Sequence, residues 1–150
     1  MIDQVCAYIN NYFTHEKGRP ICCKKGTFRV ARGTLSLDFL KAGNYFLIKG
    51  SDFNDGIHIY PDADLVDEEF EGKVYKMRPL PDFLKLVGEI TDWQEKYGAM
   101  SVNPYSSETF EGYSYKKAQS YASSGGDMCS SWQTIFEPRL QRYRKLFLEV

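Results

Sequence analysis

The stretch that decides the fold is YFLIKGSDFNDGIHIY, residues 45–60. Its two ends are short runs rich in aromatic and β-branched residues, which favour extended strands. Between them, Asn54-Asp55-Gly56 offers residues that accept the positive φ angles of a tight turn. The sequence therefore predicts an antiparallel β-hairpin across residues 45–60.

Further strands are predicted on both sides of this hairpin. Upstream, short alternating runs lie at 28–30 and 35–37, separated by a turn at Gly33. Downstream, residues 72–77 alternate again and are expected to return to the same sheet. Four or five short antiparallel strands in residues 21–78 predict a small antiparallel β-barrel or curled sheet.

Three helices are predicted around this β unit. Apolar residues recur at helical spacing over residues 2–14 and again over 81–97, where Pro79 and Pro81 precede the pattern. A last helix is expected to start at Ser130 or Ser131 and to extend to about Phe147, with Pro138 bending or interrupting it. The fold class is therefore α+β.

Length and composition predict one domain. A chain of 150 residues that is 43% hydrophobic is long enough to bury a core of its own. Residues 99–127 are rich in Ser, Gly and Tyr, and we expect a polar, partly mobile segment there. Within it, Tyr113-Ser114-Tyr115 alternates and is expected to add an edge strand.

The sequence shows no targeting signal and no large net charge. No stretch approaches the roughly 20 apolar residues of a membrane span, and the first residues lack a signal-peptide layout. We therefore expect an intracellular protein with free thiols at Cys6, Cys22, Cys23 and Cys129. The net charge of -1 gives no overall field toward nucleic acid or an anionic membrane.

Catalytic motifs are not visible in the chain. Only His15 and His58 can serve as a histidine base, and neither has the sequence context of a catalytic motif. A nucleophilic role for Cys22 or Cys23 remains an alternative, although no partnered base is visible. The acidic stretch after Pro61 lacks the central glycine of a calcium loop, and no phosphate-cradling glycine motif occurs. We expect no enzyme activity, no cofactor and no metal.

Charge is unevenly distributed along the chain. Residues 17–32 contain six Lys or Arg and no acid, whereas residues 52–71 contain eight acids and no Lys or Arg. The two blocks either pair within one monomer or pair between neighbouring copies, and the second arrangement is a heterologous contact that makes rings when its rotation closes. Candidate contact residues are Phe53, Asn54, Asp55, Asp62, Asp64, Asp67 and Glu68 in or near the acidic block and Arg139, Arg142 and Arg144 near the end of the chain.

Several sequence words together suggest a lineage. They are YFLIKGS at 45–51, FNDG at 53–56, DEEFEG at 67–72, WQEKYG at 93–98, SETFEGYSY at 107–115, WQ at 132–133, RL at 139–140 and YRK at 143–145. With these words, residues 27–146 resemble small proteins from the structural-gene region of tailed phages and prophages of Gram-positive bacteria, of the head-to-tail connector or adaptor type. The resemblance implies a homo-oligomeric ring that docks to portal, capsid or tail proteins. It also implies assembly in the bacterial host cytoplasm and a place in the virion. No membrane partner is expected, because the chain has no apolar span and little net charge.

A small nucleic-acid-binding β unit is the alternative function. Phe28, Tyr45, Phe46 and Tyr60 are candidates for base stacking beside Arg29 and Arg32. Strand alternation turns some of these rings inward, and the acidic block lies close in sequence, so we place this hypothesis second.

Overall fold

The computed structural model describes residues 1–62, 64–98 and 131–148, together with the backbone of residues 107–110 and 113–116. These residues form two compact units. The first contains Met1–Leu84 and Tyr143–Val150, and the second contains Lys85–Arg142. The polar segment predicted for 99–127 lies outside the described residues, except for the backbone of the two short strands within it.

A four-stranded antiparallel sheet is the centre of the first unit. It consists of β3 (Cys23–Val30), β4 (Tyr45–Lys49), β5 (Gly56–Ile59) and β6 (Glu68–Met77), in the spatial order β3-β6-β4-β5. A preceding two-stranded hairpin pairs β1 (His15–Glu16) with β2 (Arg19–Pro20). The four-stranded sheet is open, with β3 and β5 at its edges, so the closed barrel is not the form that this sequence adopts.

The hairpin predicted at 45–60 is confirmed, since Tyr45 lies opposite Ile59 and Ile48 lies opposite Gly56. The strand predicted at 35–37 is wrong. After β3, the chain turns through Arg32 and Gly33, both at positive φ, and makes only an isolated bridge between Ala31 and Thr34. The alternating leucines of 35–37 are instead buried in an irregular segment that covers the sheet.

One face of the sheet packs into a continuous apolar core. From the strands, Val30, Phe46, Ile48, Phe70 and Val74 point to this face, as their alternation requires. The irregular segments cover it with Leu35, Leu37, Leu40 and Leu65. On the opposite face, Leu47 and Tyr75 are also buried. At Leu47 and Tyr75, the two central strands are therefore buried on both faces.

The N-terminal helix is shorter than predicted. Helix α1 covers Ile2–Tyr8, whereas the pattern predicted residues 2–14. Asn10 and Phe13 both have φ of 53°, a left-handed conformation that a helix does not continue through. The buried Asn11 holds this turn, because its Oδ1 accepts a hydrogen bond from the Phe13 amide at 3.0 Å. Phe13 is thereby directed against the Phe83 ring, with centroids 4.6 Å apart.

The central helix has its predicted bounds. Helix α2 covers Pro81–Tyr97. Helix α3 covers Trp132–Leu140 and tightens into a 3-10 turn at Gln141–Tyr143. It passes through Pro138 but ends well before Phe147, which is 80% exposed. The expected extension of this helix to Phe147 is therefore wrong.

The strand predicted at Tyr113-Ser114-Tyr115 forms, but it has a different partner. Strand β8 (Tyr113–Lys116) pairs antiparallel with β7 (Ser107–Phe110) in a separate two-stranded sheet. It is not an edge strand of the four-stranded sheet.

Candidate functional site

Two loops carry half of the predicted contact residues, and the first of these loops connects the two strands of the hairpin. We call residues 51–55 and 64–67 the acidic loops. The Asn54 side chain joins them, although it is only 4% exposed. Its Nδ2 donates to the Val66 carbonyl at 2.8 Å, and its Oδ1 accepts from the Val66 amide at 2.8 Å. The side-chain amide therefore pairs with the backbone of Val66 as a neighbouring strand would.

The carboxylate of Glu68 strengthens the same connection. It accepts hydrogen bonds from Asn54 Nδ2 at 2.5 Å and from the Ser51 hydroxyl. Ser51 Oγ in turn accepts from the Asn54 amide at 2.7 Å. Desolvation acts to raise the pKa of Glu68, but the hydrogen bonds from Ser51 and Asn54 lower this pKa below its ordinary value. The ionised carboxylate is thus part of the loop structure.

His58 is held between two acceptors. Its Nδ1 lies 2.9 Å from Asp62 Oδ2, and its Nε2 lies 2.8 Å from the Asn54 carbonyl oxygen. A carbonyl oxygen can only accept, so Nε2 carries a hydrogen in this arrangement. The second nitrogen is occupied by the Asp62 carboxylate, which leaves neither nitrogen available to a substrate or a metal. His58 therefore has a structural role in this geometry.

Two aspartates of the acidic loops accept further hydrogen bonds from backbone amides. Asp55 Oδ1 accepts from the Ser51 amide at 2.8 Å, and Asp67 Oδ1 accepts from the Gly33 amide at 2.7 Å. Asp64 is exposed, and Phe53 is 69% exposed. Among the candidates in this region, Asn54 is buried and its side chain is bonded within the loops.

The three arginines near the end of the chain lie in different surroundings. Within the second unit, Arg139 forms a two-point ion pair with the buried carboxylate of Glu89, and its Nη2 donates to Glu89 Oε1 at 3.0 Å. Arg142 is exposed on the 3-10 turn. Within the first unit, the Arg144 guanidinium lies 4.8 Å from the centroid of the Tyr8 ring. Arg139 thus has an internal structural role.

The opposed charge blocks meet partly within the monomer. Strands β3 and β6 pair so that Arg29 lies directly opposite Glu69. Lys24 forms an ion pair with Asp38, a residue outside both blocks. The register therefore brings one residue of each block next to the other, but Arg29 and Glu69 form no ion pair among the described residues, and Asp52 and Asp64 remain exposed acids on the loops.

Reactive groups are dispersed in the part of the chain that is described. No group of three or more His, Cys, Asp or Glu side chains there is arranged to hold a metal ion. An open depression of about 610 Å³ lies beside the β1–β2 hairpin and is lined by Lys17, Arg19 and Arg78, with Glu16 paired to Arg78 at 2.8 Å.

Burial, with a smaller effect of Asp3, raises the pKa of the Cys6 thiol to about 12, so this thiol stays protonated.

Comparisons with protein-family models, with curated proteins and with solved structures found no match. A search of the described helices found none with the length and apolar character needed to cross a bilayer.

Proposed function

We propose that this chain is a non-enzymatic phage or prophage virion assembly protein of the head-to-tail connector or adaptor type. It acts by forming a ring and by docking to portal, capsid or tail proteins, first in the host cytoplasm and then in the virion. The lineage rests on the resemblance of residues 27–146, and the mode of action is supported by the surface of the acidic loops.

The observation that carries the proposal is a preorganised apolar contact surface on those loops. Phe53 is 69% exposed and Val66 is 50% exposed. They lie on the two segments that Asn54 ties together through Val66. The buried hydrogen bonds fix these segments before any partner arrives, which reduces the entropy lost on binding. Exposed aromatic residues on fixed backbone are typical anchors of protein interfaces.

The flanking charges supply specificity for this surface. Asp52, Asp55 and Asp64 are exposed around Phe53 and Val66. None of the three carboxylates forms an ion pair with a Lys, Arg or His of the described residues. An apolar centre with an acidic rim fits a partner surface that has an apolar pocket and basic residues around it.

The test measures assembly of the full chain. We expect a ring-sized species in light scattering after size exclusion, and co-elution with purified portal or tail-end protein. The double variant Phe53→Ser with Val66→Ser is expected to weaken co-elution tenfold or more without changing the far-UV CD spectrum. The matched control is Leu80→Ser, which removes an apolar side chain that is 52% exposed elsewhere in the first unit. A strictly monomeric protein that binds none of these partners contradicts the proposal.

The nucleic-acid alternative loses part of its stacking surface. The Phe46 ring is fully buried, and the Phe28 ring stacks on Phe70 with centroids 5.4 Å apart. Tyr45 and Tyr60 are half-buried. Base stacking on Phe28 and Phe46 therefore requires the core to open, which places this function second.

A further inference from the structure

Three lysines form a row across the four-stranded sheet. Lys25 of β3 lies directly opposite Lys73 of β6, and Lys49 of β4 lies directly opposite the same Lys73. Directly opposite residues of antiparallel strands project from the same face. The three side chains therefore leave one face of the sheet side by side, and we call them the lysine row.

The lysine row has no compensating acid. No carboxylate of the described residues lies within ion-pair distance of any of the three ammonium groups. Lys25 and Lys73 are exposed, and Lys49 is half-buried with its Nζ 5.4 Å from the centroid of the Tyr12 ring. Neighbouring strands are about 4.8 Å apart, so the row extends over about 10 Å. Like charges directly opposite one another destabilise a sheet, and no ion pair among the described residues offsets this cost.

The positive charge is confined to this one line. On the same face, the next pairs along β3 and β6 are Thr27 opposite Glu71 and Arg29 opposite Glu69. On the other side of the row, Tyr75 and Leu47 are buried. An anion that follows the row therefore crosses the strands, whereas one that lies along β6 meets Glu71 and Glu69.

We propose that the lysine row binds consecutive phosphates of a nucleic-acid backbone. Lysine is a compact point charge that binds phosphate well, while lysine is depleted in protein–protein interfaces. With Phe46 buried and Phe28 stacked on Phe70, neither ring is presented to a base. The contact is therefore with phosphate alone and carries no sequence preference. This inference is independent of the docking surface at Phe53.

The test measures binding of a short fluorescent duplex DNA by anisotropy as salt is raised. Three phosphate contacts give a slope of about -2.7 in log affinity against log salt, which is about a 40-fold loss between roughly 50 and 200 mM. The triple variant K25Q/K49Q/K73Q is expected to abolish this slope and to melt at the same temperature as the wild type or higher. The matched control K17Q/K41Q/K85Q removes the same charge from other lysines and is expected to keep the slope.

The outcomes separate the possible ligands. The proposal is overturned if the wild type does not bind the duplex at about 50 mM salt. It is also overturned if the two triple variants lose DNA binding equally. Binding of inorganic triphosphate at the row without duplex binding assigns a small phosphate and overturns the nucleic-acid ligand. Self-association that disappears in K25Q/K49Q/K73Q without any DNA binding assigns an acidic surface of a second copy and also overturns it. If the triple variant is unfolded by CD, the double variant K25Q/K73Q of the two exposed lysines decides, with an expected loss of about two thirds of the slope.

Discussion

Replacing Asn54 by Ala removes the side chain that ties the acidic loops together. Asn54 makes two neutral hydrogen bonds with the backbone of Val66 and one with the carboxylate of Glu68. A neutral hydrogen bond contributes about 1 kcal/mol, and one to a charged group about 1.5–3 kcal/mol. Because water can reach part of the vacated site, we expect the lower end of the sum, a loss of about 3.5 kcal/mol in the free energy of unfolding. For a chain of this size, that loss lowers the melting temperature by roughly 7–14 °C.

The assay for Asn54→Ala is urea unfolding followed by far-UV CD, which reports the sheet. Tryptophan fluorescence is unsuitable, because Trp93 and Trp132 both lie in the second unit. The matched control is Asn44→Ala, which removes one hydrogen bond, from the Lys41 amide to Asn44 Oδ1 at 3.0 Å, and is expected to cost about 1 kcal/mol. In hydrogen exchange, the Val66 amide is expected to lose protection only in Asn54→Ala. If the two variants are equally stable, the structural role assigned to Asn54 is refuted.

Three other perturbations test separate features. Because hydrogen bonds lower the pKa of Glu68, the ionised carboxylate stabilises the fold above the ordinary pKa of 4.5, and this stabilisation is lost as the pH falls through the lowered pKa. Glu68→Gln is therefore expected to be less stable than the wild type at pH 7. Urea titrations should show that this difference in stability shrinks below about pH 4, and a difference that stays constant would argue against the lowered pKa. Gly72→Ala places a Cβ against the Lys49 carbonyl oxygen, so we expect thermal melting to show a loss of about 1–3 kcal/mol in stability. The control Gly88→Ala in α2 places its Cβ in open space and should raise the stability by up to about 1 kcal/mol. Equal effects at both positions would contradict the close approach of Gly72 to the Lys49 carbonyl. With a pKa of about 12, Cys6 should resist alkylation by iodoacetamide in the folded protein and react only after unfolding, whereas the exposed Cys23 should react first. Peptide mass mapping would show the order of labelling. Rapid labelling of Cys6 in the folded protein would be inconsistent with its burial.

Local patterns were sufficient for the elements whose signals lie within a few residues. Helix α2 has its predicted bounds because prolines precede it and Gly98 follows it. The hairpin has its predicted position because its turn residues and both strands are contiguous in the sequence. Helix α1 was predicted too long, since the apolar spacing continues to Phe13 although the backbone leaves the helix at Asn10. Apolar periodicity indicates which residues are buried, and these residues can stay buried after the backbone has left the helix.

The candidate site depended on information that local patterns do not contain. Asn54 reads as an ordinary turn residue, and its burial follows only from pairing with Val66, 12 residues away. The lysine row is equally invisible, because Lys25, Lys49 and Lys73 come together only once the register of three strands is fixed. The exposed acids and Phe53 could be selected from the sequence, because the selection used residue type and did not require knowledge of a contact with a distant residue.

The edge position of β3 limits the ways in which copies of this protein can associate. A strand added from another chain would lie alongside Lys24, whose ammonium group is paired with Asp38, and alongside the exposed Lys25, so it would press charged side chains against foreign backbone. Sheet continuation from chain to chain is therefore disfavoured at this edge, and the same charges protect the monomer from fibril-like stacking. Subunits joined through side-chain surfaces instead can separate again without disturbing the hydrogen bonds that hold each of them folded.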